Sequence, residues 1–136
     1  YAGQDVRRMA NSVFVLVDWH EPATILGYYT LCATSISQGD VPLAARKHVP
    51  RYPLVSATLL GRLAVAVSCQ GRGFGKLLAV DAMRRAYLSA RTVGSSMLVV
   101  DAIDEQAAAF YEANGFVRLS ASLRLALPIV TIGKLA

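Results

Sequence analysis

The sequence is poor in sulfur, histidine and acid, and each shortage narrows what it can encode. Its two cysteines, Cys32 and Cys69, stand far apart in apolar surroundings, which points to neither a disulfide framework nor a zinc cluster. Both read as core thiols of a reducing cytoplasm, and no metal is called for. Arg62 interrupts the longest apolar run, which therefore stays below the roughly 18 residues of a membrane span. No signal peptide is recognised, so a cytoplasmic location is expected. Tyr1 rather than Met stands first, and the sequence is expected to be a fragment. Acids are outnumbered nine to fourteen by Lys plus Arg, leaving a net charge of +5. That balance favours anionic partners, although many basic domains have none.

What is present is apolar and patterned. A chain of 136 residues, 54% of them hydrophobic, is expected to be one domain with a sizeable core. "SVFVLVD" (12–18) and "ILGYYTLCATSIS" (25–37) read as strands of an antiparallel hairpin, with Pro22 in its turn. A basic loop follows from Gln38 to Pro53. "LVSATLLGRLAVAV" (54–67) reads as a strand buried on both faces, with a bulge allowed at Gly61. The clearest helix runs from Phe74 to Val93. It buries Ala79, Met83, Ala86 and Ala90, turns Asp81, Arg84 and Arg85 elsewhere, and ends at Gly94. A buried strand at 95–103 comes next, then a helix capped by Asp104 and ended by Gly115. "FVRLS" and "LRLALPIVTI" complete the chain as two further strands, paired antiparallel. Strand, helix, strand, helix makes an α/β plan, and the first crossover should set the strands around 60 and 98 parallel.

Between the long strand and the long helix lies "CQGRGFGKLL" (69–78), where Gly71, Gly73 and Gly75 occupy alternate positions. A glycine turn opening a helix presents unsatisfied amides at the positive end of the helix dipole, an arrangement that binds phosphate. Arg72 and Lys76 can add charge at its rim. An ordinary strand-to-helix turn also fits these residues. Two phosphate loops are excluded by spacing: Leu77 follows Lys76 where a Walker loop has Ser or Thr, and the dinucleotide G-x-G-x-x-G pattern is absent.

What remains, Gln70-x-x-Gly73-x-Gly75, resembles the acyl-CoA pyrophosphate signature of the GNAT superfamily of N-acetyltransferases. The resemblance spans nearly the whole chain. It implies a GNAT fold, an α/β (α+β) mixed and mostly antiparallel sheet with a central, splayed parallel strand pair and helices on both faces. The family's N-terminal strand and helix are expected to be missing. It also implies that acetyl-CoA is the acetyl donor, held by Gln70, Gly71, Arg72, Gly73, Gly75 and Lys76 at the pyrophosphate and by the backbone of Leu63, Ala64 and Val65 along the pantetheine. "AAAFYEANGF" (107–116) is similar to the second family signature, which places Tyr111 beside the cofactor sulfur. Phe110 and Tyr111 also fit as core aromatics of an amphipathic helix.

More narrowly, "LLGRLAV", "LVVDAIDEQAAAFYEANGF" and "LRLALPIVTI" are similar to the GNAT toxins of bacterial toxin–antitoxin pairs. That likeness implies acetylation of the α-amino group of aminoacyl-tRNA, blocked translation, a ribbon-helix-helix antitoxin and a homodimer. Ala66, where relatives usually carry an acid, and Cys69, where they often carry an aromatic, depart from the pattern. Tyr111 is the implied general acid and the Val65 amide the implied oxyanion donor. His20, in a turn, and His48, in the basic loop, are the only imidazoles available as a base. An α-amine of low pKa has little need of one. Arg7, Arg8, Arg46, Lys47, Arg51, Arg84, Arg85 and Arg91 can hold an RNA backbone or simply face solvent. Two rival functions stay open: acetylation of small amines or protein N-termini, and a non-catalytic acyl-CoA-binding module.

Overall fold

The computed structural model describes residues 11–41, 46, 53–119 and 122–135. Strands β1 (Ser12–Val17), β2 (Ile25–Ser37), β3 (Leu54–Val65), β4 (Met97–Asp101), β5 (Val117–Arg118) and β6 (Arg124–Pro128) alternate with helices α1 (Phe74–Val93), α2 (Glu105–Ala113) and α3 (Ile129–Leu135). The strands form one sheet in the order β1-β2-β3-β4-β6-β5. Its single parallel pair is β3 with β4, as the crossover through α1 requires. Two compact units divide the chain, one drawn from the residues up to Cys32 with Leu60–Ala82, the other from Ala33–Leu59 with Met83 onward.

In the first unit β1 and β2 form the expected antiparallel hairpin, Ser12 opposite Leu31 and Leu16 opposite Gly27, with an irregularity between Leu16 and Val17. Phe14 stacks on Tyr29 at 5.1 Å. The fully buried Tyr29 donates its hydroxyl to Asp81 of α1 at 2.5 Å. Asp81 therefore belongs half inside rather than with the exposed Arg84 and Arg85, because a buried phenol needs an acceptor. Gly27 lies so close to β3 that a Cβ there would sit 2.7 Å from the Ala64 carbonyl oxygen. Leu78, Ala79 and Ala82 supply the buried stripe of this end of α1.

The second unit packs Ile36, Val41, Val55, Ala57, Met97, Val99, Leu119 and Ala126 into one cluster. In β4 every residue but Asp101 is buried. It pairs antiparallel with β6, Met97 opposite Pro128 and Asp101 opposite Arg124. Strand β5 adds to β6 through Val117–Ala126 and Arg118–Leu125, the antiparallel pairing read from the sequence. Met83, Ala86 and Ala90 continue the stripe of α1, and Gly94, at φ +70, closes the helix. Asp104 caps α2, accepting the Ala107 amide at 2.8 Å, and Gly115, at φ +99, follows its end.

Three expectations are corrected. The apolar run after Pro128 is a helix, not a strand: Ile129 and Ile132 are buried while Val130 is exposed, a three-residue spacing that one helix face produces. Strand β3 is buried on both faces only over 57–60, since Gly61, Arg62 and Ala64 are exposed, and Val67 lies in a following 3₁₀ turn. Cys32 is half-buried rather than fully interior. The polar stretch from Gln4 to Asn11, whose composition predicts the tail of a helix, lies outside the described residues except for Asn11, as do Arg7, Arg8, Lys47, His48 and Arg51.

Candidate active site

The glycine loop is built by local chain chemistry. Beyond Val65 the Ala66 amide donates to the Leu26 carbonyl at 2.8 Å, and a single 3₁₀ turn over Val67–Cys69 buries the Cys69 thiol. Gly71 and Gly73 then take φ values of +78° and +81°, a region that costs a residue with a Cβ about 1–2 kcal/mol. Around either position a Cβ would meet nothing within 4 Å, so the glycines are required by backbone angle and not by crowding from this chain. Gly75 is the second residue of α1. The first helical hydrogen bond runs from the Leu77 amide to the Gly73 carbonyl at 3.1 Å, and the amides of Phe74, Gly75 and Lys76 precede the ladder.

Side chains complete this rim. Gln70 Nε2 donates back to the Val65 carbonyl at 3.3 Å, tying the loop to the end of β3. The Arg72 guanidinium lies 5.0 Å above the Phe74 ring, and both Arg72 and Lys76 are exposed. With no acid in the first turn of α1, nothing there cancels the positive end of its dipole. Exposed left-handed glycines, free amides and two cations form a cradle suited to a phosphate or diphosphate. Leu63, Ala64 and Val65 are the last three residues of β3, exposed or half-buried. All the sequence-predicted cofactor residues other than Tyr111 thus belong to the first unit.

Tyr111 belongs to the second unit. Its ring meets Phe110 edge-on at 5.1 Å and Phe116 at 5.5 Å, and only 7% of the residue is exposed. Phe110, which the helix pattern also allows as a core aromatic, is the less buried of the two. The Tyr111 carbonyl accepts the amides of Asn114 and Phe116, which folds the end of α2 back on itself. Its hydroxyl has no hydrogen-bond partner among the described residues, yet no side-chain oxygen or nitrogen among them is sealed from solvent unpaired. The phenol therefore keeps an open tip. Burial pushes its pKa upward, so it holds its proton well above neutral pH.

Other candidates are placed less favourably. His20 is exposed on the hairpin turn, its amide bound to Asp18. Arg46 donates to the carbonyls of Val41 and Gly39 at 3.0 and 3.3 Å, so it is partly engaged in holding its own loop. Three polar arrangements escaped the sequence reading: Tyr29 on Asp81, Asp101 on Arg124, and Arg118 against Glu105 and Glu112. Only the seven-residue spacing of the two glutamates hinted at the last. No helix among the described residues is long and apolar enough to cross a membrane.

A glycine turn opening a long helix after the first strand of a parallel pair defines an α/β domain with an anion cradle. Residues 11–118 match the family model for the acetyltransferase (GNAT) domain, and the chain belongs to that family. It is 37% identical over 87 residues to a tRNA-acetylating toxin of Mycobacterium tuberculosis, a match covering 64% of this chain and 51% of that one. The chain thus spans about half the length of that curated relative. The structure of AtaT complexed with acetyl-methionyl-tRNAfMet superposes with a TM-score of 0.88 at 30% identity, covering 97% of this chain and 79% of AtaT. An AtaT Y144F mutant bound to the C-terminus of the antitoxin AtaR and acetyl-CoA gives a TM-score of 0.82 at 27% identity, covering 99% and 78%.

Proposed function

We propose that the protein transfers an acetyl group from acetyl-CoA to the α-amino group of aminoacyl-tRNA in the cytoplasm, halting translation as the toxin of a toxin–antitoxin pair. The observation that carries this reading is the loop in which Gly71 and Gly73 adopt left-handed angles immediately before the unneutralised N-terminus of α1. The structural relatives carrying acetyl-CoA and acetylated tRNA support both substrates. In this reading the amides of residues 71–76 hold the diphosphate, with Gln70, Arg72 and Lys76 at the rim, while the backbone of Leu63, Ala64 and Val65 lines the pantetheine.

The neutral α-amine attacks the thioester carbon, and its carbonyl oxygen becomes an oxyanion that accepts a hydrogen bond from the Val65 amide. As the tetrahedral adduct collapses, the carbon–sulfur bond breaks and the Tyr111 hydroxyl gives its proton to the departing thiolate. The new amide nitrogen releases its extra proton to water, and the tyrosinate is reprotonated from solvent. A raised phenol pKa suits this role, because the acid is loaded at the pH where an α-amine of pKa about 7.7–8.0 is partly neutral. A ribbon-helix-helix antitoxin and a homodimer belong to the same proposal. The test incubates the full chain with acetyl-CoA and a mixed pool of charged tRNA and follows N-acetyl-aminoacyl-tRNA. Its absence, with acetylation of polyamines or peptide N-termini in its place, would overturn the substrate assignment.

A further inference from the structure

A polar clamp on α2 lies outside both the glycine loop and the aromatic cluster. Arg118, on β5, donates from Nη1 to Glu105 Oε1 at 3.2 Å and from Nη2 to Glu105 Oε2 at 2.6 Å. From Nε and Nη2 it also donates to Glu112 Oε1 at 3.2 and 3.1 Å. Glu105 is the first residue of α2 and Glu112 the last but one. Seven residues separate them along the chain, or roughly 10 Å along a helix axis. One guanidinium therefore grips the helix at both ends, which constrains its tilt and not merely one terminus.

The base of this clamp is firm. Arg118 pairs with Leu125 of β6, which is fully buried and lies opposite Val100 of β4. The clamp also closes a ring of contacts on Tyr111. Glu112 is its chain neighbour, and Phe116, two residues before Arg118, donates its amide to the Tyr111 carbonyl at 3.1 Å and sets its ring against the phenol at 5.5 Å. Isolated surface ion pairs contribute little. This one differs in geometry: Glu105 and Glu112 are exposed, but the Arg118 side chain is only 26% exposed, bidentate on one carboxylate and shared with a second.

We propose that Arg118 is a positioning residue that, by holding Glu105 and Glu112, fixes the tilt of α2 and so aims the Tyr111 hydroxyl. The proposal rests on the acid role assigned to Tyr111 above. A guanidinium serves this best, because its planar fork satisfies two carboxylates at once, where an ammonium holds one of them well.

The test is a double-mutant cycle in the full chain, following CoA release with acetyl-CoA and charged tRNA. Arg118→Gln is expected to lower kcat about tenfold while KM for acetyl-CoA stays within about twofold. In a Tyr111→Phe background the same change should alter kcat by less than about twofold, since the group being aimed is gone. Arg118→Lys should recover part of the loss. Equal losses in both backgrounds, or an unchanged kcat in Arg118→Gln, would overturn the proposal. Should Arg118→Gln fail to fold, Glu112→Gln is read in the same cycle with the same expectations. A normal kcat in Tyr111→Phe alone would instead reject the acid role. Placement is then judged by the Tyr111 ring resonances, which Phe116 shifts magnetically: movement in Arg118→Gln sustains the positioning role, and unchanged resonances refute it.

Discussion

Replacing Gly73 by alanine separates backbone strain from ligand binding. At φ +81° alanine is disfavoured, and because a Cβ there meets nothing within 4 Å no steric term is added. The cost is therefore conformational, about 1–2 kcal/mol if the loop keeps its shape. For a chain of this size that lowers Tm by roughly 3–8 °C. If the loop relaxes to negative φ, the amide proposed to hold the diphosphate swings away, and loss of one charge-assisted hydrogen bond at about 1.5–3 kcal/mol weakens acetyl-CoA binding about 10- to 150-fold. Gly94 provides a matched control, with φ +70° and nothing within 4 Å of a Cβ, but at the opposite end of α1. Gly94→Ala should carry the same stability penalty and no change in affinity. Asparagine at 73, which tolerates left-handed angles, should restore part of the binding. Calorimetric titration with acetyl-CoA and thermal unfolding followed by circular dichroism read the two quantities separately. Should Gly73→Ala bind acetyl-CoA within twofold of the parent while losing stability as Gly94→Ala does, the loop is not the diphosphate cradle.

Further outcomes are expected. Gly27→Ala places a methyl group 2.7 Å from the Ala64 carbonyl oxygen and 2.9 Å from Leu78 Cδ1. It should destabilise the protein by about 1–3 kcal/mol in denaturant unfolding, and a change below about 0.5 kcal/mol would contradict the close approach of β2 and β3. Asp104→Ala removes the acceptor of the Ala107 amide and should cost about 1 kcal/mol, with Ser at 104 recovering most of it. The kcat/KM profile should rise as the α-amine loses its proton, near pH 7.7–8.0 or slightly below. In the proposed acid role Tyr111 acts while protonated, and since burial raises its pKa, activity should then fall only as pH climbs beyond the ordinary phenol value of about 10. Tyr111→Phe should abolish that falling limb; a limb below about pH 9 in the parent protein would point to another group.

Much of the fold was legible because its signals are local. Alternating β-branched residues marked β1 and β2, the three- and four-residue spacing of small residues marked α1, and Asp104 and Gly115 bounded α2 with cap chemistry that depends only on near neighbours. The glycine loop was legible for the same reason, although only Gly71 and Gly73 have positive φ, whereas Gly75 lies inside the helix. Misreadings fell where tertiary packing decides. "PIVTI" has strand composition, and it coils because burial is available at 129 and 132 but not at 130. The exposure of Ala64 beside the apolar Leu63 and Val65 follows from the end of β3 and not from composition. The partnership of Asp81 with Tyr29, 52 residues away in sequence, and of Arg118 with two glutamates required the folded chain to be seen.

Helix α2 has nine residues, fewer than the roughly 12–15 below which a free peptide scarcely coils in water. Its shape is thus borrowed from what it docks on, and an unfolded or half-made chain has no formed segment to present the phenol. In a nascent chain Tyr111 is therefore set in place only after β6, which follows it in sequence and packs against α2, has formed.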